Sequence, residues 1–178
     1  MIYKFIDIPG YELISDKIYD YIVSKTDVIT SPAEFGSWNR VNTNEMLELI
    51  PEIQTVLHNF DLEAERITII KINPHVNLPI HIDSDRHPRM LWPVRNCQGS
   101  YTKFFNVDKN NIVTKVGAKG DVYNLILNPE SAVQIDQLEL TQPVIFDPTI
   151  PHGVWTNPEF DGYRLTMTIK FKTIVELS

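Results

Sequence analysis

Two kinds of hydrophobic spacing divide the chain. In Tyr11–Lys25, Leu13, Ile14, Ile18 and Ile22 recur at steps of one, four and four, the stripe of an amphipathic helix. Asn42 followed by Glu45 has the form of a capping box ahead of Met46, Leu47 and Ile50. Pro51 then either kinks that helix or opens a new one, since proline suits a first helical position. Ile53, Val56, Leu57 and Phe60 continue an apolar face. The first sixty residues therefore read as helical support, with Trp38 and Asn39 in a loop that could serve as a lid.

From Arg66 the period changes. Arg66–Ile72, Ile80–Asp83, Arg89–Val94, Thr102–Val107, Ile112–Val116, Val122–Leu127, Ala132–Ile135, Pro143–Phe146, Gly153–Thr156 and Tyr163–Thr173 are short, β-branched or aromatic runs. Asn73-Pro74, Gly99-Ser100, Asn110-Asn111, Lys119-Gly120, Asn128-Pro129 and Asp161-Gly162 punctuate them as turns. Many short strands without intervening helices predict an all-β sandwich or barrel. The expected plan is one domain over 1–178, with helical support in 1–62 and a β-barrel core in 66–173.

Composition adds bounds rather than chemistry. With 178 residues, 43% hydrophobic and 22% charged, the chain is large enough to fold without a disulfide or metal, which leaves any metal site free for function. No run of 18 apolar residues predicts a membrane span. The opening MIYKFIDIPG lacks the form of a signal peptide. The single Cys97 has no intrachain partner, which fits a cytoplasmic location. A net charge of −7 argues against a nucleic-acid backbone as partner. Seven basic residues and one acid, Asp108, lie between Arg86 and Lys119, either a solvated face or a region that attracts an anion.

The candidate chemistry centres on His81-Ile82-Asp83. Residues i and i+2 of a strand share a face, so an imidazole and a carboxylate would project side by side. A divalent metal needs a further ligand. On an extended strand His87 would sit about 20 Å from His81, at about 3.3 Å per residue, unless a turn at Asp85-Arg86 returned it. His58 reads as a helix-surface residue and His75 as part of an Asn-Pro-His turn. His152 opens a separate strand and is the best candidate; two histidines and one carboxylate form the facial triad of non-haem iron(II) oxygenases. Twelve residues beyond His152, Arg164, Thr166 and Thr168 share one strand face, opposite Leu165, Met167 and Ile169. An arginine facing an apolar barrel needs an anionic partner, and its planar fork suits a carboxylate. Trp92, Trp155, Phe104, Phe105 and Tyr123 could line such a barrel, chiefly as core.

His81-Ile82-Asp83, the distal His152 and Arg164-x-Thr166, in that order, resemble the 2-oxoglutarate- and iron(II)-dependent oxygenases over roughly residues 70–171. The context of Pro79-Ile80-His81-Ile82-Asp83, RMLWPVRNCQGSYTKFF from Arg89, Phe146-Asp147 and Pro151-His152-Gly153-Val154 is most similar to the aspartyl/asparaginyl β-hydroxylase-like and small phage-type branches. The resemblance implies a mainly β double-stranded β-helix, a cupin-like jelly roll with N-terminal supporting helices. It implies Fe(II) held by His81, Asp83 and His152, and 2-oxoglutarate as co-substrate with its far carboxylate on Arg164 and Thr166. A middle-strand residue assists the co-substrate in these branches. Arg89, Arg95, Tyr101 and Lys103 are available, with Arg89 favoured by its distance after the HxD pair and Tyr101 suited to the far carboxylate. The implied reaction consumes dioxygen, hydroxylates a C–H bond of a peptide, amino acid or small molecule, and releases succinate and carbon dioxide. The alternatives are an inactive metal-binding jelly-roll module and a cupin-type metalloenzyme without 2-oxoglutarate, the latter predicting that a protein carboxylate ties up Arg164.

Overall fold

A computed structural model describes residues 1–25, 36–83, 87–116, 122–159, 161–173 and 177. Its strands are β1 (Tyr3–Phe5), β2 (Gly36–Arg40), β3 (Ala64–Ile72), β4 (Leu78–Asp83), β5 (Arg89–Arg95), β6 (Tyr101–Asn106), β7 (Ile112–Val116), β8 (Val122–Ile126), β9 (Val133–Glu139), β10 (Val144–Phe146), β11 (His152–Trp155) and β12 (Arg164–Phe171). Its helices are α1 (Tyr11–Ser24), α2 (Thr43–Leu49) and α3 (Pro51–Asn59).

The strands form two antiparallel six-stranded sheets, ordered β1-β10-β5-β12-β3-β2 and β7-β8-β4-β11-β6-β9. From β3 to β6, and again from β10 to β12, each successive strand crosses to the opposite sheet. This winding makes the jelly roll, and it places residues far apart in sequence on facing walls of one interior.

The central strand β12 shows why the sheets stack this way. Leu165, Met167, Ile169 and Phe171 pack into a cluster with Ile14, Ile18 and Ile22 of α1 and Ile53 and Leu57 of α3. The helices thus cover the outer face of the first sheet. The inner face meets the second sheet: Leu91, Val144 and Phe146 of the first pack with Phe104 and Leu138 of the second. Ile72 likewise packs with Leu78 and Val154. A strand buried on both faces ordinarily reads as a continuous apolar run, and it keeps polar-apolar alternation only where polar residues have a task inside. On β12 those residues are Arg164, Thr166 and Thr168, all buried.

The N-terminal segment follows its local signals in part. Ile14, Ile18 and Ile22 are buried, while Leu13 is 70% exposed. Asn42 Oδ1 accepts from the Glu45 backbone N–H at 3.2 Å, and Pro51 opens α3 rather than kinking α2. The reading of the first sixty residues as mostly helical support does not include β1 and β2, which extend the first sheet at its two edges. Trp38 and Asn39 belong to strand β2, paired with Ile70 and Ile69, and not to a lid loop. Their strand is held through its backbone, so the side chains need show no period. A Cβ on Gly36 would lie 2.0 Å from the Lys71 carbonyl oxygen, and its φ is 145°; only glycine lets this edge strand begin so close to β3. β9 also runs to Glu139, four residues beyond the predicted Ala132–Ile135 end. No helix among the described residues is long and apolar enough to cross a membrane.

Candidate metal centre

His81 and Asp83 share the inner face of β4, and His152 opens β11 directly opposite His81 in the ladder. Between these strands the register slips. His152 pairs with His81, but Val154 pairs with Leu78, so two residues of β11 span three of β4. This bulge lets both Leu78 and His81 face inward despite their odd separation, and such bulges re-aim side chains beside functional sites.

One ligand atom from each of His81, Asp83 and His152 lies within 4.8 Å of the others. His81 Nε2 is 3.7 Å from Asp83 Oδ1, and the two imidazole centroids are 4.5 Å apart. Both rings are oriented from behind. His81 Nδ1 donates to the Pro79 carbonyl at 2.9 Å, and His152 Nδ1 to the Ile150 carbonyl at 2.8 Å. A carbonyl only accepts, so each Nδ1 carries a proton, and in the neutral ring that leaves the Nε2 lone pair for a metal, the arrangement of metal-ligating histidines.

The electrostatics agree. His152 is buried, and desolvation, reinforced by nearby His81 and opposed by Asp83, lowers its pKa from 6.5 to about 4. The ring is neutral, as a ligand must be. Phe104 and Phe146 flank it, with ring centroids 6.3 Å and 5.4 Å away. His81 and Asp83 retain side-chain exposures of 20% and 23%, so the group is closed at His152 and open at β4.

Arg164 belongs to the opposite sheet, paired with Ile72, whose side chain packs with Leu78 and Val154. It therefore faces the same interior, one step along from the His81–His152 pair. Arg164 is 3% exposed, yet Nε and Nη2 have no hydrogen-bond partner, nor does Thr166 Oγ1. Thr102, on β6 and paired with Val154, adds a second buried hydroxyl without a partner. Burial presses the Arg164 pKa down and the Cys97 sulfur opposes it, but a guanidinium stays charged in proteins. Buried polar groups are ordinarily paired, and a charge left so is costly. A bidentate carboxylate between the sheets would satisfy this set. Thr102 escaped the sequence reading; its one signal is that it alternates with Phe104 on the strand opposite His152.

The other predicted residues part company. Arg89 reaches the centre, but its Nη1 lies 3.0 Å from Asp83 Oδ2, so it meets the carboxylate of the candidate metal group. Tyr101 is not brought to the triad. It pairs with Trp155, one residue out of phase with the inward Thr102 and Phe104, and lines an outer cleft with His75, Lys103 and Trp155. Arg95 points to the helix side and pairs with Asp16 at 2.7 Å, while the Lys103 ammonium stacks over Trp155. Arg89, Arg95 and Lys103 thus meet three different surroundings. Trp92 is core, with Nε1 donating to Ser15 Oγ; Phe105 and Trp155 join the outer cluster around Ile80. The Tyr123 side chain and the Asp85-Arg86 turn lie outside the described residues. His75 bonds to Asp161 at 3.2 Å, and neither it nor His87 joins the candidate metal group.

No protein-family model matches the chain, and no curated protein matches it in sequence. Among solved structures, the chain superposes on the non-haem α-ketoglutarate-dependent carbocyclase SnoK from nogalamycin biosynthesis with a TM-score of 0.62 and 9% identity, over 95% of this chain and 79% of that one. Looser likenesses are a hazelnut (Corylus avellana) vicilin, with a TM-score of 0.40 and 13% identity over 80% of this chain, and a Bacillus subtilis oxalate decarboxylase, with 0.36 and 11% over 79%. The chain spans about a third or less of each of these two, 30% and 26%. At such identities the shared feature is the fold: the chain is mainly β, a cupin-like jelly roll with a His-Asp-His group inside it.

Proposed function

We propose that the protein is a non-haem iron(II)- and 2-oxoglutarate-dependent dioxygenase that hydroxylates a C–H bond of a peptide, amino acid or small organic molecule. The observation that carries this reading is the buried Arg164, whose Nε and Nη2, like the Thr166 and Thr102 hydroxyls, have no hydrogen-bond partner, one step from a His-Asp-His group. The His/His/carboxylate set suits iron(II), and the guanidinium with two hydroxyls suits a carboxylate at fixed distance from it. A cupin-type enzyme without 2-oxoglutarate predicts a protein carboxylate on Arg164; among the described residues none makes an ion pair with it. The finer placement we favour is beside the aspartyl/asparaginyl β-hydroxylase-like or small phage-type branches, on the sequence motifs.

In this reading His81, Asp83 and His152 hold the metal, and the Nδ1 hydrogen bonds to Pro79 and Ile150 keep both imidazoles aimed at it. Iron with 2-oxoglutarate bound supplies an oxidant from dioxygen, with succinate and carbon dioxide released. Arg164 and Thr166 receive the far carboxylate and so set the orientation of the co-substrate. Phe104 and Phe146 keep water from the His152 side, which protects a reactive centre from side reactions. The organic substrate approaches over the exposed His81–Asp83 edge.

The test is anaerobic titration of iron(II)-loaded protein with 2-oxoglutarate, followed by the visible charge-transfer band of the chelate. The band is expected in the wild type and absent in Asp83→Ala. Iron binding without a band would favour a metal-binding module without this co-substrate.

A further inference from the structure

The two oxygens of the Asp83 carboxylate are turned to different partners. Oδ1 faces His81 Nε2 at 3.7 Å, while Oδ2 lies 3.0 Å from Arg89 Nη1. Asp83 ends β4 in one sheet and Arg89 begins β5 in the other. Arg89 is in turn fixed by its place in the ladder opposite Phe146, the residue whose ring stands against His152. The ion pair therefore spans the two sheets at the open side of the centre, with side-chain exposures of 16% and 23%.

A free carboxylate can bind a metal through one oxygen or two. A second bond occupies a further coordination position, and a facial triad works only because the positions opposite its ligands remain open. Charge-assisted pairing to a guanidinium is strong and directional, and groups behind a ligand fix its orientation and tune the metal. We propose, resting on the metal reading above, that Arg89 is a positioning residue that holds Asp83 to one-oxygen coordination through Oδ1 and so keeps a metal position open for an exogenous ligand. It touches neither metal nor substrate in this role. The pairing also explains why a basic residue this close to the centre is not simply a second anchor for the co-substrate.

The experiment uses Mn(II) as the probe, with water-proton relaxation reporting metal-bound water and electron paramagnetic resonance reporting occupancy. It compares wild type, Arg89→Gln and Arg89→Lys, with His81→Ala as the control that lacks the centre. In Arg89→Gln the carboxylate loses this ion pair and closes on the metal: at matched occupancy one exchangeable water is lost, and oxalate, a two-oxygen chelator, binds at least tenfold more weakly. Arg89→Lys, which keeps a cation at that position, restores most of both. Unchanged water number and oxalate affinity in a folded, Mn(II)-loaded Arg89→Gln protein would overturn the proposal and leave the ion pair as a clasp between sheets. Equal losses in Arg89→Gln and Arg89→Lys would overturn it too. Absence of specific Mn(II) binding in the wild type, with no difference from His81→Ala, would remove the metal reading itself.

Discussion

His81 and His152, separated by most of the barrel in sequence, face each other as direct cross-strand partners, their rings 4.5 Å apart. Each is held by its own Nδ1 to the carbonyl two residues before it. Two imidazoles prepared in the same way, from two strands, with a carboxylate beside one of them, are the basis of the first prediction.

His81→Ala and Asp83→Ala are expected to lower iron(II) affinity by at least about 100-fold, beyond the 10- to 100-fold typical for loss of groups behind a ligand. Both side chains are partly exposed, so thermal unfolding of the metal-free proteins should move by only a few degrees. Metal titration with parallel melts checks this; retained tight binding in either variant would remove that residue from the ligand set.

Arg164 offers a trade between stability and function. Its replacement by Met takes a charge with two unpartnered nitrogens out of the interior. Apolar substitution of buried charges is often stabilising by about 1–4 kcal/mol, so metal-free Arg164→Met should unfold at higher denaturant. Its affinity for 2-oxoglutarate should fall about 100-fold, within the 2–5 kcal/mol that loss of one partner of a buried charge pair costs. Destabilisation with unchanged affinity would show that Arg164 serves the fold alone.

His152 makes stability depend on pH in one direction. Folded, its pKa is about 4, whereas the unconstrained value is 6.5. Between those values the unfolded chain binds more protons, so stability rises with pH. Its contribution is intact above about pH 6.5 and is lost as pH falls toward 4. Urea midpoints of the metal-free protein at pH 7 and pH 4.5 should separate, and His152→Gln should narrow the gap. An equal gap in both proteins would assign the acid sensitivity elsewhere.

Gly153, next to the buried His152, is expected to tolerate no side chain. A Cβ there would sit 2.9 Å from the Leu78 carbonyl oxygen and 3.0 Å from the Trp155 ring, both at the bulge that aligns His81 with His152. Gly153→Ala should cost about 1–3 kcal/mol, as overpacking does, and weaken metal binding together with it. A neutral effect on both would mean that the two strands separate freely at this point.

What the sequence determined by itself is the local part of this architecture. The strand runs, the shared face of His81 and Asp83, the opposition of Arg164 and Thr166 to Leu165 and Met167, and the cap at Asn42 all follow from periodicities and bonding within a few residues. Tertiary structure decided what depends on partners far along the chain. It recruited β1 and β2 as edge strands through backbone pairing that leaves little trace in side-chain pattern, and it put Tyr101 outside and Thr102 inside, a difference of one residue that flips a strand's faces. It also turned Arg89 from the co-substrate toward Asp83. Local alternation says which side chains travel together; only the register between strands and the stacking of the two sheets says what they meet.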